Sequence, residues 1–302
     1  MEIGTVLPTL ELGPDPAPLR AYADGVETAG YGHILASDHV LGVDPDRDWD
    51  GPYDNSDLFH EPLTTLAHLA AVTDDLGFGT SILVLPQRQT ALVAKQAAQV
   101  DRFCGGGFRL GVAVGWNPLE YVALGGEFED RGPRMTEQLD VLERLWTEAA
   151  VEFEGRFHDL PGVGINPRPE GSVPLWLGGT ADPVKRRIAE KGDGWIPQFD
   201  PAEDPGEAEA ELADLYGYVE AAGREPDAVG LQGRMAVAPD DPDEWVRQAE
   251  AWQDLDADFL AVTTQGQGLD GVDEHLDLLG TVAGTLADVG LLEPSRDRLS
   301  DR

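Results

Sequence analysis

Candidate chemistry in this chain falls on short polar stretches that follow apolar runs. Ser37-Asp38-His39 follows His33–Ala36, and Gly115-Trp116-Asn117 follows Phe108–Val114. Gly178-Gly179-Thr180 follows Val173–Leu177, while Val84–Arg88, Gln198 and Thr263-Thr264 close three further runs. An imidazole beside a carboxylate suits general acid–base work, because it titrates near neutrality. His39 with Asp38 is therefore the first candidate pair, weighed against a lone structural or exposed histidine. No second histidine lies near His39 with ligand spacing, so a metal centre is not supported. Gly178-Gly179-Thr180 stands between a strand and a helix, which fits either a phosphate cradle or a plain tight turn. No GxSxG elbow and no Walker A motif occurs, which removes the usual support for hydrolase and NTPase readings. Carboxylate pairs could serve a glycosidase, but 57 acidic residues make chance pairs common.

These residues need a scaffold that brings strand ends together. Leu76–Trp116 reads as strand, loop, helix, glycine turn and strand. Leu76–Leu85 and Phe108–Val114 are the two apolar runs, and Thr90–Phe103 has helical spacing. The unit recurs along the chain. Further strands are expected at Glu2–Leu7, His33–Ala36, Val173–Leu177, Gly194–Pro197, Val229–Val237 and Phe259–Thr263. Helices are expected at Pro18–Gly30, Pro62–Leu76, Pro133–Ala150, Asp182–Lys191, Asp204–Ala222, Pro242–Leu255 and Val272–Val289. About eight strands alternating with eight helices favour an α/β fold, a (β/α)8 TIM barrel with loop insertions. It would be one domain over residues 1–302, with an insertion at about 151–172 and a frayed tail at about 294–302. A doubly wound sheet is the alternative, but Pro8–Gly13 is not the GxGxxG turn that such a sheet would carry after its first strand. In a barrel the triplets above would all face one mouth. Gly105-Gly106-Gly107 begins a strand and belongs to the opposite, structural face. The long loop 40–60, with Trp49 and Tyr53, would help wall the mouth.

Composition bounds the partners. The net charge is −36, from 57 acidic and 21 basic residues, of which only three are lysine. Such a chain has no basic stripe for nucleic acid or an anionic membrane. An acidic, lysine-poor surface suits concentrated salt, where a Debye length of about 3 Å screens self-repulsion. A halophilic cytoplasm is the expectation, supported by the lack of a basic leader segment or long apolar run. One cysteine, Cys104, excludes an intrachain disulfide.

Three segments resemble the luciferase-like monooxygenase superfamily, particularly its coenzyme F420-dependent oxidoreductase branch. They are SDHVLG (Ser37–Gly42), the long stretch Glu61–Gly125 and PLWLGGTADPVKRRIAEKGDGWIP (Pro174–Pro197). The resemblance implies a (β/α)8 barrel with insertions, in agreement with the strand count. It implies coenzyme F420 as cofactor, with FMN as the alternative, and hydride transfer to or from a small organic substrate. His39 would stand at the reactive edge of the deazaflavin, with Asp38 beside it. Ser81 and Ile82 would flank a non-proline cis peptide bond under the ring. Val114, Gly115 and Asn117 would lie beside the cofactor, and Gly178, Gly179 and Thr180 would hold its phosphate. Trp116 stands where some relatives carry Glu, so that acid role does not transfer. Arg88 is the favoured cation for the cofactor's anionic tail. The competing readings are an FMN-dependent monooxygenase, which would react with oxygen, and a non-catalytic flavin-binding protein. Homodimers or larger homo-oligomers are a further expectation from the resemblance.

Overall fold

Eight short parallel strands, most of them flanked by helices, close into a ring in the computed structural model. The structure describes residues 1–48 and 50–292. Trp49 and the tail expected at 294–302 lie outside the described residues. The staves are β1 (Glu2–Val6), β2 (His33–Ala36), β3 (Gly77–Thr80) with its continuation β4 (Leu83–Val84), and β5 (Phe108–Ala113). After a hairpin of β6 (Val151–Glu154) and β7 (Asp159–Val163) come β8 (Leu175–Gly178), β9 (Gly194–Ile196), β10 (Gly230–Ala236) and β11 (Phe259–Thr263). Neighbours pair in the order β3, β2, β1, β11, β10, β9, β8, β5, and β3 pairs with β5 to close the ring. This is the expected (β/α)8 TIM barrel.

The outer layer is α1 (Pro16–Thr28), α2 (Pro62–Leu69), α3 (Thr90–Phe103), α5 (Arg131–Thr147), α6 (Asp182–Lys191), α7 (Pro205–Ala221), α8 (Pro242–Asp254) and α9 (Gly271–Asp288), with a short α4 (Pro118–Ala123) at the mouth. Proline near the first turn starts α1, α2, α4, α6, α7 and α8, where its missing N–H costs no hydrogen bond. Fully buried Tyr22, Trp146, Trp245 and Trp252 fix helices to the ring. Their polar atoms are satisfied by backbone carbonyls, as when Trp146 Nε1 donates to Ala94 O at 2.9 Å.

Inside the ring, residues two apart share a face and form layers. The foot is a polar and aromatic plug. Arg109 lies 3.5 Å over the Phe259 ring and donates to Gln232 Oε1 at 3.2 Å, while His33 Nδ1 meets Glu2 Oε1 at 2.9 Å. Burial lowers the Arg109 pKa to about 10 and that of His33 to about 4. One layer higher the strands come close together. A Cβ on Gly111 would stand 2.0 Å from Thr80 O, so only glycine fits there. Val6, Leu35 and Ala261 form a small buried cluster of their own inside the ring.

Two expected elements differ. α2 stops at Leu69, where a strand-like Leu76 had been assigned to its end. The expected continuous strand 76–85 is interrupted at Ser81–Ile82, and both halves still pair with β5 (Phe78↔Phe108 and Leu83↔Val112).

Candidate active site

The break in the third stave is a non-proline cis peptide bond between Ser81 and Ile82. It lies at the carboxyl end of the barrel, where the resemblance places it. Ser81 O accepts from Ser37 Oγ at 3.3 Å, tying the break to the end of β2. Ile82 packs across to β8. A Cβ on Gly178 would lie 2.9 Å from Ile82 Cγ2, so the glycine makes room for the turned backbone. Gly115, with φ +70°, fills a similar role: a Cβ there would meet Val84 Cγ1 at 2.5 Å.

His39 leaves the end of β2 and enters an aromatic box. Its ring centroid is 4.8 Å from Phe59, 5.2 Å from Tyr53 and 5.6 Å from Trp116. His39, Trp116 and Asn117 line a cavity of about 260 Å³ with Leu41, Tyr53 and Phe59. Asn117 also caps α4, accepting from Leu119 N–H at 2.9 Å. A larger cavity, about 560 Å³, lies at the foot against Arg102, Trp146 and Arg168 and touches none of the expected site residues.

Glu120 is the functional residue that sequence reasoning missed. It is buried, and its Oε2 lies 3.4 Å from His39 Nδ1. Its Oε1 accepts from Val40 N–H at 2.9 Å and Leu41 N–H at 3.1 Å. Burial pushes its carboxyl up, but His39 and the two backbone donors outweigh burial, and its pKa falls below 4.5. Glu120 therefore fixes both the imidazole and the start of the 40–60 loop. The available signal was Asn117-Pro118-Leu119-Glu120, a capped helix start with Glu at the third position. In a capping box that Glu would reach back to the cap, whereas here it reaches a different loop.

Arg88 requires a correction. It was expected to receive the cofactor's anionic tail, but its guanidinium is already engaged by carboxylates. Nη2 donates to Asp38 Oδ1 at 2.7 Å, Nε to Asp38 Oδ2 at 3.3 Å and Nη1 to Glu61 Oε1 at 2.8 Å. Two acids face one base, so little positive field is left for a ligand. Asp38 also changes part. It is buried, accepts from Val84 N–H at 2.9 Å and pins the far side of the strand break. It is not a wall of the aromatic cavity and does not contact His39 as a proton partner; Glu120 takes that place.

The Gly178-Gly179-Thr180 turn sits across the mouth. Gly179, with φ +117°, donates its N–H to Ile196 O at 3.2 Å and accepts from Trp195 Nε1 at 2.7 Å. That N–H is thus spent within the protein. Thr180 and Ala181 lead into α6 with no side-chain cap. Val114 is partly buried, and its carbonyl accepts from the Tyr121 hydroxyl.

Comparison with known proteins agrees with the barrel fold. Residues 1–280 match the family model described as luciferase-like monooxygenase. The chain belongs to that family, whose members are oxidoreductases and monooxygenases. The Mycobacterium tuberculosis protein Rv0940c is 34% identical over 209 residues, covering 67% of this chain and 71% of that one. F420-dependent glucose-6-phosphate dehydrogenase of Amycolatopsis mediterranei is 30% identical, covering 60% of this chain and 53% of the relative. Among solved structures, riboflavin lyase RcaE with a modified FMN aligns with a TM-score of 0.78 at 14% identity, covering 98% and 93% of the two chains, a likeness of fold. Deazaflavin and flavin proteins thus both occur among the similar proteins. Among the described residues, no helix is long and apolar enough to cross a membrane.

Proposed function

We propose that the protein is a coenzyme F420-dependent oxidoreductase acting on a small organic substrate. The observation that carries this reading is the juxtaposition of the Ser81–Ile82 turn, its glycine seat at Gly178 and the His39–Glu120 pair at one barrel mouth. The residues suit a flat ring system. Glycine at 178 and 115 lets Ile82 and Val84 pack tightly beside the strand ends, and the neighbouring cavity has aromatic walls. Ser81, Ile82, Gly178, Gly179 and Thr180 would hold the cofactor, with Val114, Gly115 and Asn117 alongside. The deazaflavin would supply the hydride chemistry.

The protein's own share is orientation, exclusion of water and proton handling. Glu120 faces Nδ1 of His39, which leaves Nε2 to exchange a proton with the substrate. Tyr53, Phe59 and Trp116 keep water from the imidazole on three sides. An FMN-dependent monooxygenase is the second reading, favoured by the fold shared with the FMN-bearing riboflavin lyase. Titration of the purified protein with F420 and with FMN, followed by cofactor fluorescence, separates the two. F420 should bind at least about tenfold more tightly, a difference of ~1.4 kcal/mol. Tight binding of FMN alone would overturn the deazaflavin assignment.

A further inference from the structure

β10 carries a residue that the proposed chemistry leaves unused. Its inward face is set by Gln232, which accepts from Arg109 across the barrel at 3.2 Å. Side chains two apart share a face, so Arg234 points inward one layer nearer the mouth. The alternate residues Leu231 and Met235 are buried in the core outside the ring, and Trp252 packs on Gly233. Arg234 pairs in register with Ala261, a member of the small apolar cluster inside the ring.

Arg234 is exposed to solvent, and among the described residues it has no hydrogen bond, ion pair or ring contact from its side chain. Arg88, Arg144, Arg156 and Arg247, by contrast, each hold a carboxylate. Although the Arg234 side chain reaches solvent, the protein packed around it lowers its pKa, while Tyr53 acts on it in the opposite sense. Tyr53 is itself a wall of the aromatic cavity.

We propose that Arg234 anchors an oxyanion of the substrate, a carboxylate or a phosphate, while the substrate's apolar body lies against Tyr53, Phe59 and Trp116. The planar fork of arginine can meet two such oxygens at once, and among the described residues no acid is bonded to it. The proposal rests on reading the aromatic cavity as the substrate side of the site. It narrows the substrate class to small organic acids or phosphate esters with an aromatic or otherwise flat apolar part.

The test uses benzoate and phenyl phosphate as probes, with benzamide as the neutral counterpart, and follows intrinsic tryptophan fluorescence. The proteins are the wild type, Arg234→Gln and Arg234→Lys, each checked for an unchanged melting temperature. Wild type should bind at least one of the two anions about tenfold or more better than Arg234→Gln does, the range of a charge-assisted hydrogen bond. Benzamide should not distinguish the variants, and Arg234→Lys should recover part of the affinity. Titration with F420 and FMN should give the same affinities for wild type and Arg234→Gln. Equal anion binding by wild type and Arg234→Gln would overturn the proposal, as would a wild type that binds neither anion. Loss of cofactor affinity in Arg234→Gln would also overturn it, by assigning the oxyanion to the cofactor. If wild type bound neither cofactor, the function proposed above would fail, while the anion titration would still decide the role of Arg234.

Discussion

Replacing Arg88 by methionine separates two roles for that residue. As an internal counter-ion it neutralises Asp38, whose side chain is 1% exposed. Methionine keeps much of the apolar stem and removes the charge, leaving a buried carboxylate with Val84 N–H at 2.9 Å as its remaining donor. Breaking a buried pair in this way costs about 3–5 kcal/mol. Unfolding entropy near 2.1 cal/mol/K per residue gives ~0.6 kcal/mol/K for a chain of this length, so the melting temperature should fall by about 5–8 °C. Glu61, half-exposed, adds little to the loss because water can solvate it.

The pH dependence has a definite sign. Burial already pushes the Asp38 carboxyl up, against the pull of Arg88. Without Arg88 its folded pKa rises further above the unfolded value. The native state then holds more protons than the unfolded chain, and the variant regains stability as pH falls through that window. Adding Asp38→Asn should restore part of the loss, giving a clear coupling in a double-mutant cycle read by guanidinium denaturation. A variant with an unchanged melting temperature and a tenfold weaker affinity for F420 would refute this reasoning and return Arg88 to the cofactor.

Two further outcomes follow from the geometry. Gly178→Ala should destabilise by about 1–3 kcal/mol and weaken F420 binding by pushing Ile82 aside, because the new methyl would stand 2.9 Å from Ile82 Cγ2; thermal melts and cofactor titration check this, and a neutral substitution would remove Gly178 from the site. Glu120→Gln should cost about 1–3 kcal/mol at neutral pH. The folded Glu120 pKa is depressed, so its contribution is present above 4.5 and lost as pH falls through the folded value. Denaturation midpoints of wild type and Glu120→Gln should therefore converge on acidification, and parallel curves would count against the His39–Glu120 pairing.

The barrel was legible because its signals are local. Each stave is a short apolar run, and most helices, α2, α6, α7 and α8 among them, carry a proline at their start. The site was legible mainly through family resemblance. Nothing in Ser81-Ile82-Leu83-Val84 distinguishes a cis-interrupted stave from a continuous one, since all four residues suit a strand. Helix α4 falls outside the helices expected from the sequence, although Asn117-Pro118 is a cap followed by a first-turn proline. The partners of Arg88 lie 50 and 27 residues away, and such pairings depend on closure of the ring. Arg234 had a readable trace: in Gly230–Ala236 the polar residues Gln232 and Arg234 fall on alternate positions, and in a barrel stave that places them on the inner face.

The seam of the ring has a consequence for synthesis. β11, near the end of the chain, pairs with both β1 and β10. Until it leaves the ribosome, β1 and β10 each present an unpaired edge and the interior layers lie open. At about 5–20 residues per second, β1 waits roughly 15–50 s for the strand that seals it. An edge exposed for that long invites pairing with other nascent chains. The −36 charge spread over this chain would then serve a second purpose, keeping unfinished barrels apart while the last strand is still being made.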